Sequence, residues 1–371
     1  YKDDPNHDVI WDLHREENRI SAENKEKIYV FVSNEQYSDD GASVRTSYGR
    51  MFVPFWAITG GIKTPTGLNG LSDKVLGTKV GNGTVEIDLV SEYGRGVGKC
   101  RTSNYYQFDV WTDAKDLRHS YPNWVKMEDL VYNHPQLKTV NDPYYGKNLQ
   151  KYDGQGNLLV NDTIRYWFGW PQYKLYVPDP RWATWTYGPA GGYGNMYCYR
   201  LAETYLLRAE AYFWKGNMQF AANDINLVRT RAGCDPISAS EVGLGTILDE
   251  RARELFNEEP RKTELTRIAF ILAESGAVYN GKSYSLENFS TDNFWYDRVL
   301  EKNNFYRENI QARHESYRTA PYLVLWPIPA SVINANTLGH INQNKGYPGS
   351  DKIENPWVWK DGEGEGEIVP Q

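Results

Sequence analysis

Between residues 199 and 273 the sequence carries the pattern of two helical hairpins, and the first has the large-and-small spacing of a helical repeat. Residues 199–212 read as one helix, Gly216-Asn217 breaks it, and a second helix is predicted over 218–232. Ala209 and Ala221 let the two axes approach, Tyr205, Tyr212 and Ile225 fill the space beside them, and Val228 continues the same face. Such a unit cannot bury its apolar face alone, so it implies stacked neighbours and a scaffold. A second hairpin is predicted over 247–259 and 263–273. Leu248, Ala252, Leu255 and Phe256 share one face there, and Pro260 divides the arms.

The rest of the chain is organised differently. A short helix is predicted over 10–19 and a strand over 27–32. From Tyr37 to about Tyr197 the helical period disappears, and Gly, Pro, Asn and Asp recur every few residues, as in Thr64-Pro65-Thr66-Gly67 and Gly81-Asn82-Gly83. Residues 85–89 and 157–160 alternate as short strands would. Trp295 and Tyr296 fall in an irregular stretch, 298–313 reads as a last helix, and the polar tail from Asp361 is expected to be mobile. The fold class expected is mainly α. Tetratricopeptide-like hairpins (199–273) form a superhelical scaffold, joined to a loop-rich, aromatic-rich ligand-binding region (1–198) and an irregular closing region (274–371) in one integrated domain.

Composition excludes several function classes. The 371 residues carry a formal net charge of -7, the wrong sign for a phosphate backbone, so no nucleic-acid partner is expected. No apolar run approaches the roughly 20 residues of a spanning helix. The chain opens on Tyr1-Lys2-Asp3-Asp4-Pro5 without a signal peptide, which reads as a cytoplasmic, processed or truncated form. Cys100, Cys198 and Cys234 have no metal or redox spacing and read as buried free thiols, or as one disulfide and one thiol. The six histidines include no i, i+4 pair, so no metal is expected, and no cofactor motif is present.

Aromatic residues are the strongest compositional signal: 14% of the chain, with 13 Trp and 28 Tyr against 12 Phe. Tyr and Trp carry polar handles that suit half-wet positions. They are densest over 165–199, where Trp167, Trp170, Tyr173, Trp182, Trp185 and Tyr187 are candidates for a glycan platform. A flat ring covers the C–H face of a sugar while polar neighbours take its hydroxyls. Trp182 and Trp185 sit among Pro178, Pro180 and Pro189, which stiffen the loop. The structural alternative is that these rings pack the loop onto the helices, and for Tyr197 and Tyr199 packing is the better reading.

Three other patterns read as structural. Gly94-Arg95-Gly96-Val97-Gly98-Lys99 fails as a phosphate loop because Tyr93 and Cys100 stand where Gly and Ser or Thr are needed. Asp153-Gly154-Gln155-Gly156-Asn157 has the wrong ligand order for an EF-hand and reads as a hairpin turn. The charges of 247–259 read as ion pairs, Glu250 with Arg253 among them, with Arg251 and Arg261 cross-linking hairpins by forked bonds.

Three segments carry a resemblance to a known family. The first is Tyr199-Arg200-Leu201-Ala202-Glu203-Thr204-Tyr205 with the repeat and Val228-Arg229-Thr230-Arg231-Ala232-Gly233. The second is Glu250-Arg251-Ala252-Arg253-Glu254-Leu255 with Glu258-Glu259-Pro260-Arg261 and Leu265-Thr266-Arg267. The third, and most specific, is Leu325-Trp326-Pro327-Ile328-Pro329 with Asn334, Asn336 and Gln343-Asn344-Lys345-Gly346-Tyr347. With weaker echoes at 24–29 and 94–98, the chain resembles the SusD/RagB family of outer-membrane nutrient-binding lipoproteins. Pro260 stands where the family often has Gly. The resemblance implies a non-catalytic protein, lipid-anchored on the outer face of the outer membrane of a Bacteroidetes-type bacterium. It implies a glycan or peptide ligand and a SusC-like TonB-dependent transporter as partner. It also implies that an N-terminal part with earlier repeats and a lipidated cysteine is missing. Within the residues themselves, the prolines and Trp326 with Ile328 are expected to pin the 325–329 turn to the core, and Asn342-Gln343-Asn344 to bond loop backbone. The rival readings are a glycoside hydrolase with an Asp/Glu pair and a peptide-binding adaptor.

Overall fold

The computed structural model describes residues 4–33, 48–55, 60–175, 177, 192–312, 314–336, 341–351, 357–359 and 368–370. Its chain divides into two compact units, residues 1–259 and 260–371. Helices predominate among the described residues, and strands occur there only as short two-stranded pairs.

In the first unit, α1 (Val9–His14) and α2 (Glu16–Ile20) replace the single predicted helix, because Arg15 takes an extended backbone between them. β1 (Lys27–Phe31) runs antiparallel to β2 (Met196–Arg200), with Tyr29 opposite Tyr199 and Val30 opposite Tyr197. The alternating 85–89 segment is no strand. Asp88 caps a helix instead, α3 (Leu89–Tyr93), accepting from the Ser91 amide at 3.0 Å. A further short helix, α4 (Gln172–Leu175), precedes β2.

The loop-rich region has a core of its own. Val53, Leu71, Val90, Met127, Leu130, Tyr132 and Trp170 are buried together. The glycine run is part of its frame: Gly98 donates to the Val53 carbonyl at 3.0 Å and Lys99 to that of Met51 at 3.0 Å. A Cβ on Gly96 would lie 2.1 Å from the Pro54 carbonyl oxygen, so the backbones approach too closely for any side chain. Asp153 is consumed by its own turn, accepting from the amides of Gln155 and Asn157 at 2.9 and 2.8 Å.

The first helical hairpin forms as its spacing requires. α5 (Leu201–Trp214) and α6 (Met218–Arg231) bury Leu206, Ala209, Ala221, Ile225 and Val228 against Ile247 and Leu255. Gly216 takes a φ of 75° at the turn, a left-handed value that suits glycine. Tyr197 is buried, but Tyr199 is 56% exposed, against the packing expected of it; the two lie on either side of a register shift, a bulge that breaks the regular alternation of faces. Of the second predicted hairpin, one arm is α7 (Leu244–Glu254) in the first unit and the other is α8 (Arg261–Ser275) in the second.

In the second unit Trp295 and Tyr296 are helical, not irregular. Asn293 caps α9 (Phe294–Lys302), accepting from the Tyr296 amide at 2.9 Å. Asn303 ends that helix and caps α10 (Asn304–Arg307), so the predicted 298–313 helix is two shorter ones. Arg261 pairs with Glu264 of its own helix, at 2.5 Å, and with no second hairpin among the described residues. Trp326 is 69% exposed and does not pin the 325–329 turn to the core. That turn is held through its backbone, with Gln343 bonding both the amide and the carbonyl of Ile328 at 2.8 Å and Asn344 donating to the Trp326 carbonyl at 2.7 Å. Residues 361–367 and 371 of the predicted mobile tail lie outside the described residues, whereas 368–370 pair with 357–359. Cys100, Cys198 and Cys234 are free; Cys234 is buried and the other two are half-buried.

Candidate functional site

A cavity of about 440 Å³ in the first unit is bordered by α1, α2, α3 and α4. Its volume lies within the roughly 300–1,000 Å³ typical of small-molecule sites. The start of α1 is held firmly. Asp8 accepts from the amides of Ile10 and Trp11 at 2.9 and 3.1 Å, and the Asn123 amide reaches both oxygens of Asp8 at 3.0 and 2.8 Å. That cap orients Trp11 toward His7. The two rings stack with centroids 4.4 Å apart and planes 16° from parallel. Asp4 Oδ2 lies 2.9 Å from His7 Nδ1, and the His7 and Trp11 rings together line the cavity.

Charged groups surround this slab. Arg15 donates to Glu17 at 2.9 Å and lies 3.7 Å from Asp4. Arg19, buried, donates to the carbonyls of Asn195 and Tyr173 at 2.6 and 3.4 Å. Glu16 accepts from the Asn195 amide through Oε1, while its buried Oε2 has no hydrogen-bond partner. Burial therefore raises the Glu16 pKa above the ordinary carboxylate value.

The platform candidates meet three different fates. Trp167 and Trp170 are 7% and 1% exposed, so in this structure their rings pack the core and do not face solvent. Trp167 donates to Glu128 at 2.9 Å. Trp170 donates at 2.7 Å to the amide oxygen of Gln172, whose nitrogen reaches the Glu92 carbonyl at 3.0 Å; Gln172 lines the cavity, so Trp170 acts behind it. Tyr173 does line the cavity, though its hydroxyl is buried without a hydrogen-bond partner and its ring meets His14 edge-on at 4.8 Å. Trp182, Trp185 and Tyr187 lie outside the described residues. Sequence reasoning passed over His7 and Trp11. Their i, i+4 spacing across an Asp cap was the available signal.

A network of buried charge lies in the same unit. Arg118 donates to Asp116 at 2.7 and 2.8 Å, to Glu250 at 2.8 Å and to Glu254 at 3.0 Å. Glu250 also takes Arg253 at 2.6 Å, and Arg200 joins Glu254 at 2.8 Å to Glu258 at 2.6 Å. Lys174 closes it, 2.8 Å from Glu258. Burial alone would raise these carboxyls. The surrounding guanidinium groups outweigh it, holding Glu250 at about 2 and Glu254 and Glu258 well below their ordinary value. Burial pushes Lys174 down to about 8 and His14 down to about 3, so His14 is neutral at pH 7. The helical carboxylates are thus occupied by cations, as the structural reading of 247–259 requires.

The SusD family matches residues 25–347, and the chain belongs to that family. Over 149 residues it is 32% identical to the starch-binding protein SusD of Bacteroides thetaiotaomicron, a match covering 40% of this chain and 21% of that protein. It is similar to the solved structure of a SusD superfamily protein from Bacteroides fragilis NCTC 9343, with 16% identity over 91% of this chain and 54% of that one and a TM-score of 0.45. It is also similar to surface glycan-binding protein A from Bacteroides uniformis, with 18% identity over 92% and 53% and a TM-score of 0.42. The corresponding protein from Bacteroides thetaiotaomicron, in complex with laminarihexaose, gives 18%, 76%, 51% and a TM-score of 0.39. The chain thus spans about half the length of the solved structures it matches. No helix among the described residues is long and apolar enough to cross a membrane.

Proposed function

We propose that this protein captures an oligo- or polysaccharide at the outer surface of an outer membrane, without cleaving it, and passes it to a SusC-like TonB-dependent transporter. The carrying observation is the Trp11–His7 slab along a 440 Å³ cavity in a chain of the SusD family. The slab offers a flat apolar face. Arg15, Glu17, Gln172 and Ser91 along the same cavity offer donors and acceptors for hydroxyls. An N-terminal lipid anchor would hold the protein to the membrane. Trp182, Trp185 and Tyr187 remain proposed members of the platform.

Calorimetry with laminarin and with soluble starch tests this reading. Binding by the natural chain is expected, with Trp11→Ala weakening it about tenfold, the order of a lost stacking contact. The glycan should be recovered with its chain length unchanged. Unchanged affinity in Trp11→Ala would remove the cavity from the reading. The raised pKa of Glu16 favours one alternative, a glycoside hydrolase with Glu16 as its acid. Shortened glycan with the natural chain, abolished in Glu16→Gln, would establish that alternative.

A further inference from the structure

The cavity that holds the Trp11 and His7 rings is acidic. Carboxylates from Asp4, Glu16, Glu17 and Glu92 border it, against the two guanidinium groups of Arg15 and Arg19. His14, on the same wall, is neutral at pH 7 and adds no positive charge. Both guanidinium groups are already engaged. Arg15 donates to Glu17 at 2.9 Å and stands 3.7 Å from Asp4. Arg19 turns inward to the Asn195 carbonyl at 2.6 Å and lies 4.0 Å from Glu16 Oε2, beyond hydrogen-bond reach.

Glu92 is left without a counter-charge. It is exposed on α3 at the border of the cavity, and no Lys or Arg among the described residues forms an ion pair with its carboxylate. Its place is fixed through the backbone: its carbonyl accepts from Gln172 at 3.0 Å, and Asp88 caps the helix that carries it. A metal ion does not account for the acidic lining, because no group of three or more His, Cys, Asp or Glu side chains among the described residues is arranged to hold one. An organic cation does. An indole face attracts an ammonium group and also covers a pyranose ring. Carboxylates of one sign around a cleft add a field that concentrates cations there.

We propose that the cavity selects glycans built of 2-amino-2-deoxy sugars, with a pyranose ring against Trp11 and its protonated amine directed to Glu92. Charge complementarity selects this ligand. A neutral glycan leaves the Glu92 carboxylate unanswered, and an acidic one meets carboxylates whose guanidinium partners are already bonded. The inference rests on the glycan-capture reading above and adds the charge of the ligand to it.

Calorimetry with fully deacetylated chitohexaose, its N-acetylated counterpart and laminarihexaose tests it. The first two share linkage and length, and laminarihexaose is a second neutral ligand. At about pH 6, where the amine is protonated, the natural chain should bind the deacetylated hexamer about tenfold more tightly than either neutral one, the order of one charge pair. Glu92→Gln should weaken that binding about fivefold and leave the neutral hexamers within about twofold, and Glu92→Lys should abolish the preference. Glu308→Gln removes an exposed carboxylate of the second unit and should change nothing, which separates the cavity from a general attraction of a polycation to an acidic chain. Thermal melts establish that each variant is folded. Laminarihexaose bound in a Trp11-dependent way, with the deacetylated hexamer bound no better, overturns the proposal and leaves the glycan-capture reading standing. Equal losses in Glu92→Gln and Glu308→Gln also overturn it. So does trilysine bound as tightly as the deacetylated hexamer, which would assign the cavity to a basic peptide.

Discussion

Arg118 is 1% exposed and makes hydrogen bonds to three carboxylates, Asp116, Glu250 and Glu254. Burying such a group is costly, and the cost is offset only while every partner is present. Arg118→Ala would strand at least two carboxylates in an interior without their main cation. We expect a loss of about 3–5 kcal/mol, read as a lower denaturant midpoint with an unchanged slope. A loss under 1 kcal/mol would show that water reaches the site. Residue roles of this kind are poorly legible in a sequence. Glu250, Arg253 and Glu254 announce a charged helix, but Arg118 lies 132 residues away from Glu250, in a single 3-10 turn. The burial of an aromatic residue is illegible for the same reason: Trp170 at 1% exposure and Trp326 at 69% look alike as letters. Which face of an indole is covered depends on chain that arrives from elsewhere.

At the scale of elements, local patterns are legible and competing ones are not. The α5–α6 hairpin follows from Ala209, Ala221 and the Gly216 turn, because every determinant lies within one supersecondary unit. Both alanines are fully buried, so the close approach of the axes depends on their size. Ala209→Leu should therefore cost about 1–3 kcal/mol by overpacking, whereas Ala211→Leu on the exposed face should change stability by less than about 0.5 kcal/mol. Equal melting temperatures for the two variants would mean the hairpin has room that the structure does not show. The misread elements were decided by caps. Residues 85–89 alternate like a strand, but Asp88 starts a helix; the 298–313 helix is cut in two by Asn303. One capping oxygen outweighs a short run of periodicity.

For the whole molecule, the distribution of buried charge sets how the fold responds to pH. The network of Arg118, Glu250, Glu254, Arg200, Glu258 and Lys174 lies within residues 1–259. Glu250 has a folded pKa of about 2 against 4.5 for the free side chain, so its contribution is complete above about pH 4.5 and is lost as pH falls toward 2. That single group contributes on the order of 3 kcal/mol at neutral pH. His14, neutral in the fold with a pKa of about 3 against 6.5, acts in the same direction: below pH 6.5 the unfolded chain takes up a proton that the folded chain refuses. Acidification from pH 6.5 to 3 should therefore loosen the first unit before the second, whose ion pairs Lys282–Asp292 and Arg307–Glu308 are exposed and contribute little. Hydrogen exchange at pH 4, corrected for intrinsic rate, should show protection falling first at α1 and α7 and persisting in α8. Glu250→Gln separates this from a general effect of acid. It removes the titrating group and leaves Arg118 and Arg253 undercompensated, so the variant should be less stable than the natural chain at pH 7. The difference should shrink as pH approaches 2, because the natural carboxylate is then protonated too. A gap that stays constant from pH 7 to 3 would mean that Glu250 is not held ionised by its guanidinium neighbours, and the electrostatic account of the first unit would fall with it.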